Sequence, residues 1–224
     1  LDKVGLQGFI EQTFGVDIQP EVMTTLRSVA EKVESGKTHV DVNKMDWHEM
    51  LLANNSSLEL PSTSFFYPLH SKLFKVFLKL NNRLKIVGEK NVPKKGPFII
   101  APNHQSFLDG GIVAAGLSSK ILKNSYFFAT EEHVKHPLVK SMAKRNNVIV
   151  MEKSNLKNSI LKLSEVLKKG KNVIIFPEGS RSYDGEMVPF KKTFAILSKE
   201  LDVPVVPVCI RGAYDVLPRG SRWI

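Results

Sequence analysis

The stretch "PFIIAPNHQSFLDGG" (residues 97–111) decides the fold. Phe98 to Ala101 form a short, unbroken apolar run, and Pro102-Asn103 ends it with turn chemistry. A run of this kind, closed by turn residues, reads as a strand buried on both faces. A helix follows from about Phe107. The unit is therefore strand, turn, helix.

Working outward, the same unit recurs. "LKIVGE" (84–89), "SYFFAT" (125–130), "NVIVME" (147–152), "NVIIF" (172–176) and "VPVVPVCI" (203–210) read as further strands. Between them lie helical patterns: one running to about Lys144, "NLKNSILKLSEVLKKG" (155–170) ended by Gly170, and one from about Lys192 to Leu201. Strands alternating with helices predict an α/β fold with a mostly parallel central sheet flanked by helices. No internal repeat is visible.

The chain has 224 residues and a net charge of +10. The charge is uneven. Residues 1–60 carry five basic and ten acidic residues, a net −5, and residues 61–224 carry twenty-seven and twelve, a net +15. This change of sign predicts two units. A basic unit attracts phosphate, but the basic residues are mostly scattered lysines, with no arginine-rich arm. That pattern fits headgroups or a solvated surface and argues against nucleic acid as a partner. One cysteine, Cys209, rules out a disulfide within the chain and points to a reducing compartment. No run reaches the roughly 18 apolar residues of a membrane span. The chain begins without Met and reads as an excerpt from a longer protein.

Three regions precede the alternating part. Residues 1–35 read as an all-helical segment, and residues 36–60 as a polar linker with a short helix around Trp47 to Leu52. "SFFYPLHSKLFKVFLKLNN" (64–82) is a basic amphipathic helix, with Phe66, Leu69, Leu73, Phe77 and Leu80 on one face and Lys72, Lys75 and Lys79 on another. Two readings stay open for it: it lies in a membrane interface, or it packs on the domain.

His104 and Asp109 are the first chemical candidates. Five residues in a helix are about 140° apart, so the two meet only if His104 precedes the helix and the chain turns. With Ser106 as N-cap, the Asp109 carboxylate reaches back to hold one imidazole nitrogen and frees the other to accept a proton. The rival reading is a capping box, with Asp109 merely closing the helix start. "PEGSRS" (177–182) follows a strand, at the edge where open α/β sheets bind ligands. There Gly179 permits close backbone approach, Arg181 offers a fork for phosphate oxygens, and Glu178 either receives a polyol's hydroxyls or positions the loop. His133 and His136 read as a solvated helix start rather than a metal site.

Taken together, "NHQSFLD" (103–109), "FPEGSRS" (176–182) and "VPVVPV" (203–208) resemble, in order, the blocks of the glycerol-phosphate acyltransferase superfamily, which includes lysophosphatidic acid acyltransferases. The resemblance covers roughly residues 64–224. It implies an acyltransferase domain at 61–224 that continues beyond the chain's end. It implies His104 as general base and Asp109 as its orienter. Lys153, Glu178, Gly179 and Arg181 would bind the acceptor, with Gly185, Lys191 and Lys192 as weaker candidates. In "NVIVMEK" (147–153), Asn147 stands where Gly is common and Lys153 where Arg is usual, which changes a bidentate fork for a point charge. Thr193 stands where many relatives have Gly.

The implied reaction moves a fatty acyl group from acyl-CoA or acyl–acyl carrier protein to the hydroxyl of a lysophospholipid such as 1-acylglycerol 3-phosphate. No bound cofactor or metal is implied. The enzyme is expected peripherally, on the cytoplasmic face of a membrane. "LDKVGLQGFIEQTFGVDI" and the helix after it resemble the later part of an acyl carrier protein, whose phosphopantetheine-bearing Ser would lie one position before Leu1. A carrier in the same chain would hold the acyl group at high effective concentration. The competing hypothesis is a non-catalytic membrane-binding or carrier-docking module. A nucleotide-binding domain lacks its glycine-rich loop.

Overall fold

The computed structural model describes residues 30–31, 47–53, 60–61, 63–130, 143, 145–151 and 156–221. The chain divides into two compact units, Leu1–Met45 and Asp46–Ile224. The carrier-like segment lies outside the described residues apart from Ala30 and Glu31, as does the helix expected before Lys144 apart from Ala143. Every strand and helix described in full belongs to the second unit.

Its elements are α1 (Trp47–Ala53), α2 (Tyr67–Asn82), β1 (Ile99–Pro102), α3 (Asp109–Gly116), α4 (Ser119–Lys123), β2 (Ser125–Thr130), β3 (Val148–Met151), α5 (Leu156–Lys168), β4 (Asn172–Ile174), α6 (Thr193–Glu200), β5 (Val205–Val208) and α7 (Ala213–Val216). The five strands form one sheet in the order β3-β2-β4-β1-β5, and every described pairing is parallel. Ile99 faces Val173 on one side and Val205 on the other.

Helices cover both faces, which is why β1 and β4 read as unbroken apolar runs. Ile99, Ile100, Val173 and Ile174 are all fully buried. Phe98, Ile100, Ile174 and Phe127 share a core with Tyr67 of α2, Val113 and Ala114 of α3, and Ile121 and Leu122 of α4. The other layer is α5 and α6. The alternation expected at 84–89 does not mark a strand. Leu84 and Ile86 are half-buried and Lys85 and Val87 exposed, but the segment pairs with no strand, and Ile86 lies against the end of α3 at Gly116. Period-two burial needs only one apolar neighbour, and here that neighbour is a helix.

Local signals explain several boundaries. Gly170 takes a left-handed φ of 69° and closes α5 with bonds from its own N–H to Leu167 O and from Lys171 N–H to Val166 O. Asn147 also takes a left-handed φ, 56°, a conformation that Asn tolerates and Gly adopts freely. Its buried side-chain amide donates to Lys123 O and Ser125 O and accepts from Thr63 Oγ1. The short helix in the polar stretch 36–60 is α1, and it is not loose. Leu51 is fully buried, and α1 packs on α6, with His48 Nδ1 3.2 Å from Glu200.

β1 and β4 are neighbours whose outgoing connections run to opposite sides of the sheet, β1 toward β2 and β4 toward β5. That makes their carboxyl ends the switch-point crevice where α/β sheets bind ligands. The loops 103–108 and 175–182 meet there.

Candidate active site

The turn after β1 is held by its own side chains. Asn103 is buried and imitates a peptide group: its amide donates to Ile210 O at 2.9 Å and its oxygen accepts Ile210 N–H at 2.6 Å. This ties the end of β1 to the chain beyond β5. Ser106 does not serve as the helix N-cap. Helix α3 begins at Asp109, and Ser106 Oγ instead accepts Leu108 N–H and donates to Leu217 O. Four residues, Gln105 to Leu108, therefore form a tight turn between His104 and the helix.

That turn brings His104 and Asp109 together. His104 Nδ1 lies 2.9 Å from Asp109 Oδ2, and Asp109 is fully buried while the His104 side chain is one-fifth exposed. The same Oδ2 accepts the backbone N–H groups of Gln105 at 2.6 Å and Ser106 at 2.7 Å. One oxygen thus closes the turn, as the capping reading requires, and holds the imidazole, which is the geometry the catalytic reading requires. The carboxylate caps the turn, and so its position under the imidazole is fixed. An ionised carboxylate only accepts, so Nδ1 carries the proton and Nε2 presents a lone pair. Nε2 has no hydrogen-bond partner among the described residues. The ring stacks on Phe176, with centroids 4.0 Å apart.

The second loop clamps the first. Glu178, 2 % exposed, accepts His104 N–H on Oε1 at 2.6 Å and Val188 N–H on Oε2 at 3.1 Å. Ser182 N–H donates to His104 O, and the Gln105 amide to Gly185 O. Of the two roles open to Glu178, this geometry fits loop positioning. Burial raises its pKa, and the two backbone N–H bonds only partly offset this.

Gly179 has φ 74°, and a Cβ there would fall 2.7 Å from Lys191 Nζ and Cε and 2.9 Å from its Cδ. Its lack of a side chain thus lets Lys191 cross the loop. Arg181 stands over the Phe107 ring at 5.8 Å, and Arg219 bonds its carbonyl at 3.3 Å. Gly185, with φ 89°, backs onto Tyr214. Lys153 lies outside the described residues, as do His133 and His136.

Arg181, Glu178 and Gly179 therefore join His104 and Asp109 at one crevice. Sequence reasoning gave no role to Asn103, Gln105, Phe176 or Ser182. All sit inside the two motifs, but their partners are 72 to 107 residues away or in the other loop. The amides of Gln105, Ser106, Leu108 and Asp109 are already engaged within the turn.

A 1-acyl-sn-glycerol-3-phosphate acyltransferase of Saccharomyces cerevisiae is 35% identical, over 66% of this chain and 51% of that protein. The chloroplastic enzyme BAT2 of Brassica napus is 31% identical over 62% and 40%, and the alpha enzyme of Homo sapiens 29% over 62% and 50%. The chain thus spans about half the length of the curated relatives it matches, or less. The crystal structure of the 1-acyl-sn-glycerophosphate acyltransferase PlsC from Thermotoga maritima superposes with a TM-score of 0.57 at 30% identity, covering 69% of this chain and 61% of that one. The family model described as Acyltransferase matches residues 83–211, which contain both loops of the crevice and the sheet that carries them, and so the chain belongs to that family.

Proposed function

We infer that this protein moves a fatty acyl group from an acyl thioester to the free hydroxyl of a lysophospholipid such as 1-acylglycerol 3-phosphate, in phospholipid biosynthesis or remodelling. The observation that carries the reading is an imidazole whose Nδ1 is fixed by a buried carboxylate and whose Nε2 is open, at the switch-point crevice beside Arg181. The relatives named above bear that acceptor in their names.

The acceptor hydroxyl gives its proton to His104 Nε2 as its oxygen attacks the thioester carbonyl. The Asp109 carboxylate stabilises the imidazolium that forms. The tetrahedral intermediate then collapses, the C–S bond breaks, and the leaving thiolate takes the proton back from Nε2. The products are an ester and a free thiol, with no acyl-enzyme. Arg181 and Lys153 hold the acceptor phosphate, Lys191 adds charge across Gly179, and Glu178 keeps the His104 backbone in place.

The same reading places the protein peripherally on the cytoplasmic face of a membrane. Helix α2 buries Tyr67, Ser71 and Leu78 against the domain, while Leu69, Leu73, Val76 and Leu80 lie exposed on the other side, Leu80 at 77 %. Phe107, beside His104 in sequence, is also exposed. No helix among the described residues is long and apolar enough to cross a membrane. An exposed free thiol at Cys209 suits a reducing compartment. The carrier-like segment at 1–35 supports a carrier thioester as donor alongside acyl-CoA.

The test is transfer of a labelled acyl group by the purified protein to a panel of lysolipids, with acyl-CoA and acyl carrier as alternative donors. Transfer to 1-acylglycerol 3-phosphate is expected. Vesicle binding with no turnover on any acceptor would favour the non-catalytic docking module instead.

A further inference from the structure

A cleft of about 600 Å³ lies at the other end of α3 from the catalytic pair. It is bounded by α2, by the turn at Glu89–Asn91 and its continuation, and by the end of α3 with α4. Asp109 begins α3 and Gly116, which lines the cleft, ends it. At 1.5 Å per residue this sets the two sites roughly 10 Å apart along that helix.

The walls are cationic. Lys72, Lys75, Lys90, Lys94 and Lys120 line the cleft with a single carboxylate, Glu89. Lys75 is bonded to that carboxylate at 2.9 Å, which lowers the Glu89 pKa. The other four ammonium groups have no ion-pair partner among the described residues. The floor is apolar, with Ile121 and Leu122 of α4 beneath it. A cleft of this size with cationic walls and an apolar floor suits an amphiphile with an anionic head.

Helix α2 indicates which one. Lys72 and Lys75 sit on the flank between its buried side and its exposed apolar stripe. At 100° per residue that stripe, Leu69, Leu73, Val76 and Leu80, begins roughly 40° around from Lys72, at Val76. A phosphate in the cleft would lie next to the surface proposed to enter the lipid.

We propose that this cleft captures the phosphate headgroup of an anionic phospholipid, as a site separate from the acyltransfer crevice, with the lipid's acyl chains continuing along the α2 stripe. The proposal rests on the membrane reading given above. It makes residence at a membrane selective for anionic lipid rather than dependent on the apolar stripe alone.

The test is co-sedimentation of the whole chain with vesicles of phosphatidylcholine, alone or with a minority of phosphatidylglycerol, which is anionic but neither substrate nor product. The cleft variant is Lys90→Gln/Lys94→Gln/Lys120→Gln, which leaves α2 untouched. The control is Lys162→Gln/Lys169→Gln/Lys199→Gln, an equal charge change on the α5–α6 layer. Wild type is expected to prefer anionic vesicles. The cleft variant should lose that preference by about a hundredfold, and the control by less than tenfold. Binding to neutral vesicles should be equal in all three. An equal loss in both triples shows only diffuse surface charge and overturns the site. Equal wild-type binding to both vesicle types also overturns it, while leaving the membrane reading intact. No binding to either vesicle sinks the membrane reading and the proposal with it. In a parallel CoA titration, a loss of CoA affinity in the cleft variant without loss of vesicle preference would reassign the site to a soluble phosphate.

Discussion

Replacing Asp109 with Asn isolates what the carboxylate's charge contributes. In many acid–histidine pairs this change also flips the imidazole tautomer, which multiplies the loss to about 10⁴-fold. Here that second effect should be missing. Two backbone N–H groups, of Gln105 and Ser106, converge on Oδ2 at 2.6 and 2.7 Å and oblige an Asn to place its oxygen there. The amide NH2 then takes the place of Oδ1, which has no hydrogen-bond partner among the described residues, so no existing bond is displaced. Nδ1 of His104 still donates to an oxygen, and Nε2 still faces the acceptor. Only the electrostatic support of the imidazolium is lost. At the 2.9 Å separation observed, and an effective dielectric of about 20, a full charge pair is worth about 6 kcal/mol. With the proton about half transferred in the transition state, the effect on the barrier is about 3 kcal/mol, or roughly 10²-fold in kcat. The assay is steady-state acyl transfer to 1-acylglycerol 3-phosphate, with the acceptor KM expected to stay within about twofold because Asp109 is buried and does not touch the acceptor. A kcat within about threefold of wild type, or a loss confined to KM, would refute the reasoning.

Arg181→Ala should raise the acceptor KM by about 10²-fold with little change in donor KM, and Arg181→Lys should recover only part of it because the fork is lost; equal losses with a phosphate-free acceptor would contradict the assignment. Gly179→Ala combines a left-handed φ of 74° with a Cβ driven into Lys191, so it should destabilise the fold by about 1–3 kcal/mol in urea denaturation and weaken acceptor binding; a neutral result would mean the loop is not held as described. For Glu178 the sign follows from its raised pKa: the folded state favours the protonated form, so stability is greatest below the ordinary value near 4.5 and declines as pH rises through the raised value. Wild-type stability measured relative to Glu178→Gln should therefore fall with rising pH across that window, and a difference independent of pH would contradict the burial argument.

The parts of this protein that could be read in the sequence were those set by local chemistry. Ile99, Ile100, Val173 and Ile174 announce strands because both of their sheet faces are covered. Gly170 announces the end of α5 because it supplies the left-handed residue a helix stop requires. His104 and Asp109 could be paired from their spacing because the turn that joins them is only four residues long. What could not be read depends on distant partners. Leu84–Gly88 alternates like a strand, yet its apolar side meets a helix. Helix α1 lies in a polar stretch and is anchored by α6, some 150 residues onward. Glu178 carries no local sign that its two oxygens will hold backbone groups of His104 and Val188. Ser106 shows the converse: a good capping residue gave up the cap because Asp109 already held the turn, and its hydroxyl turned to Leu217.

The central claim is that Nε2 of His104 takes the proton from the acceptor hydroxyl. Its most direct test is labelled acyl transfer to 1-acylglycerol 3-phosphate by His104→Ala beside wild type, with circular dichroism and thermal melting confirming that both are folded. The account predicts that the variant keeps its fold and its affinity for the acceptor but loses turnover by about 10³-fold or more. A folded His104→Ala protein that transfers acyl groups at a rate near wild type would contradict it.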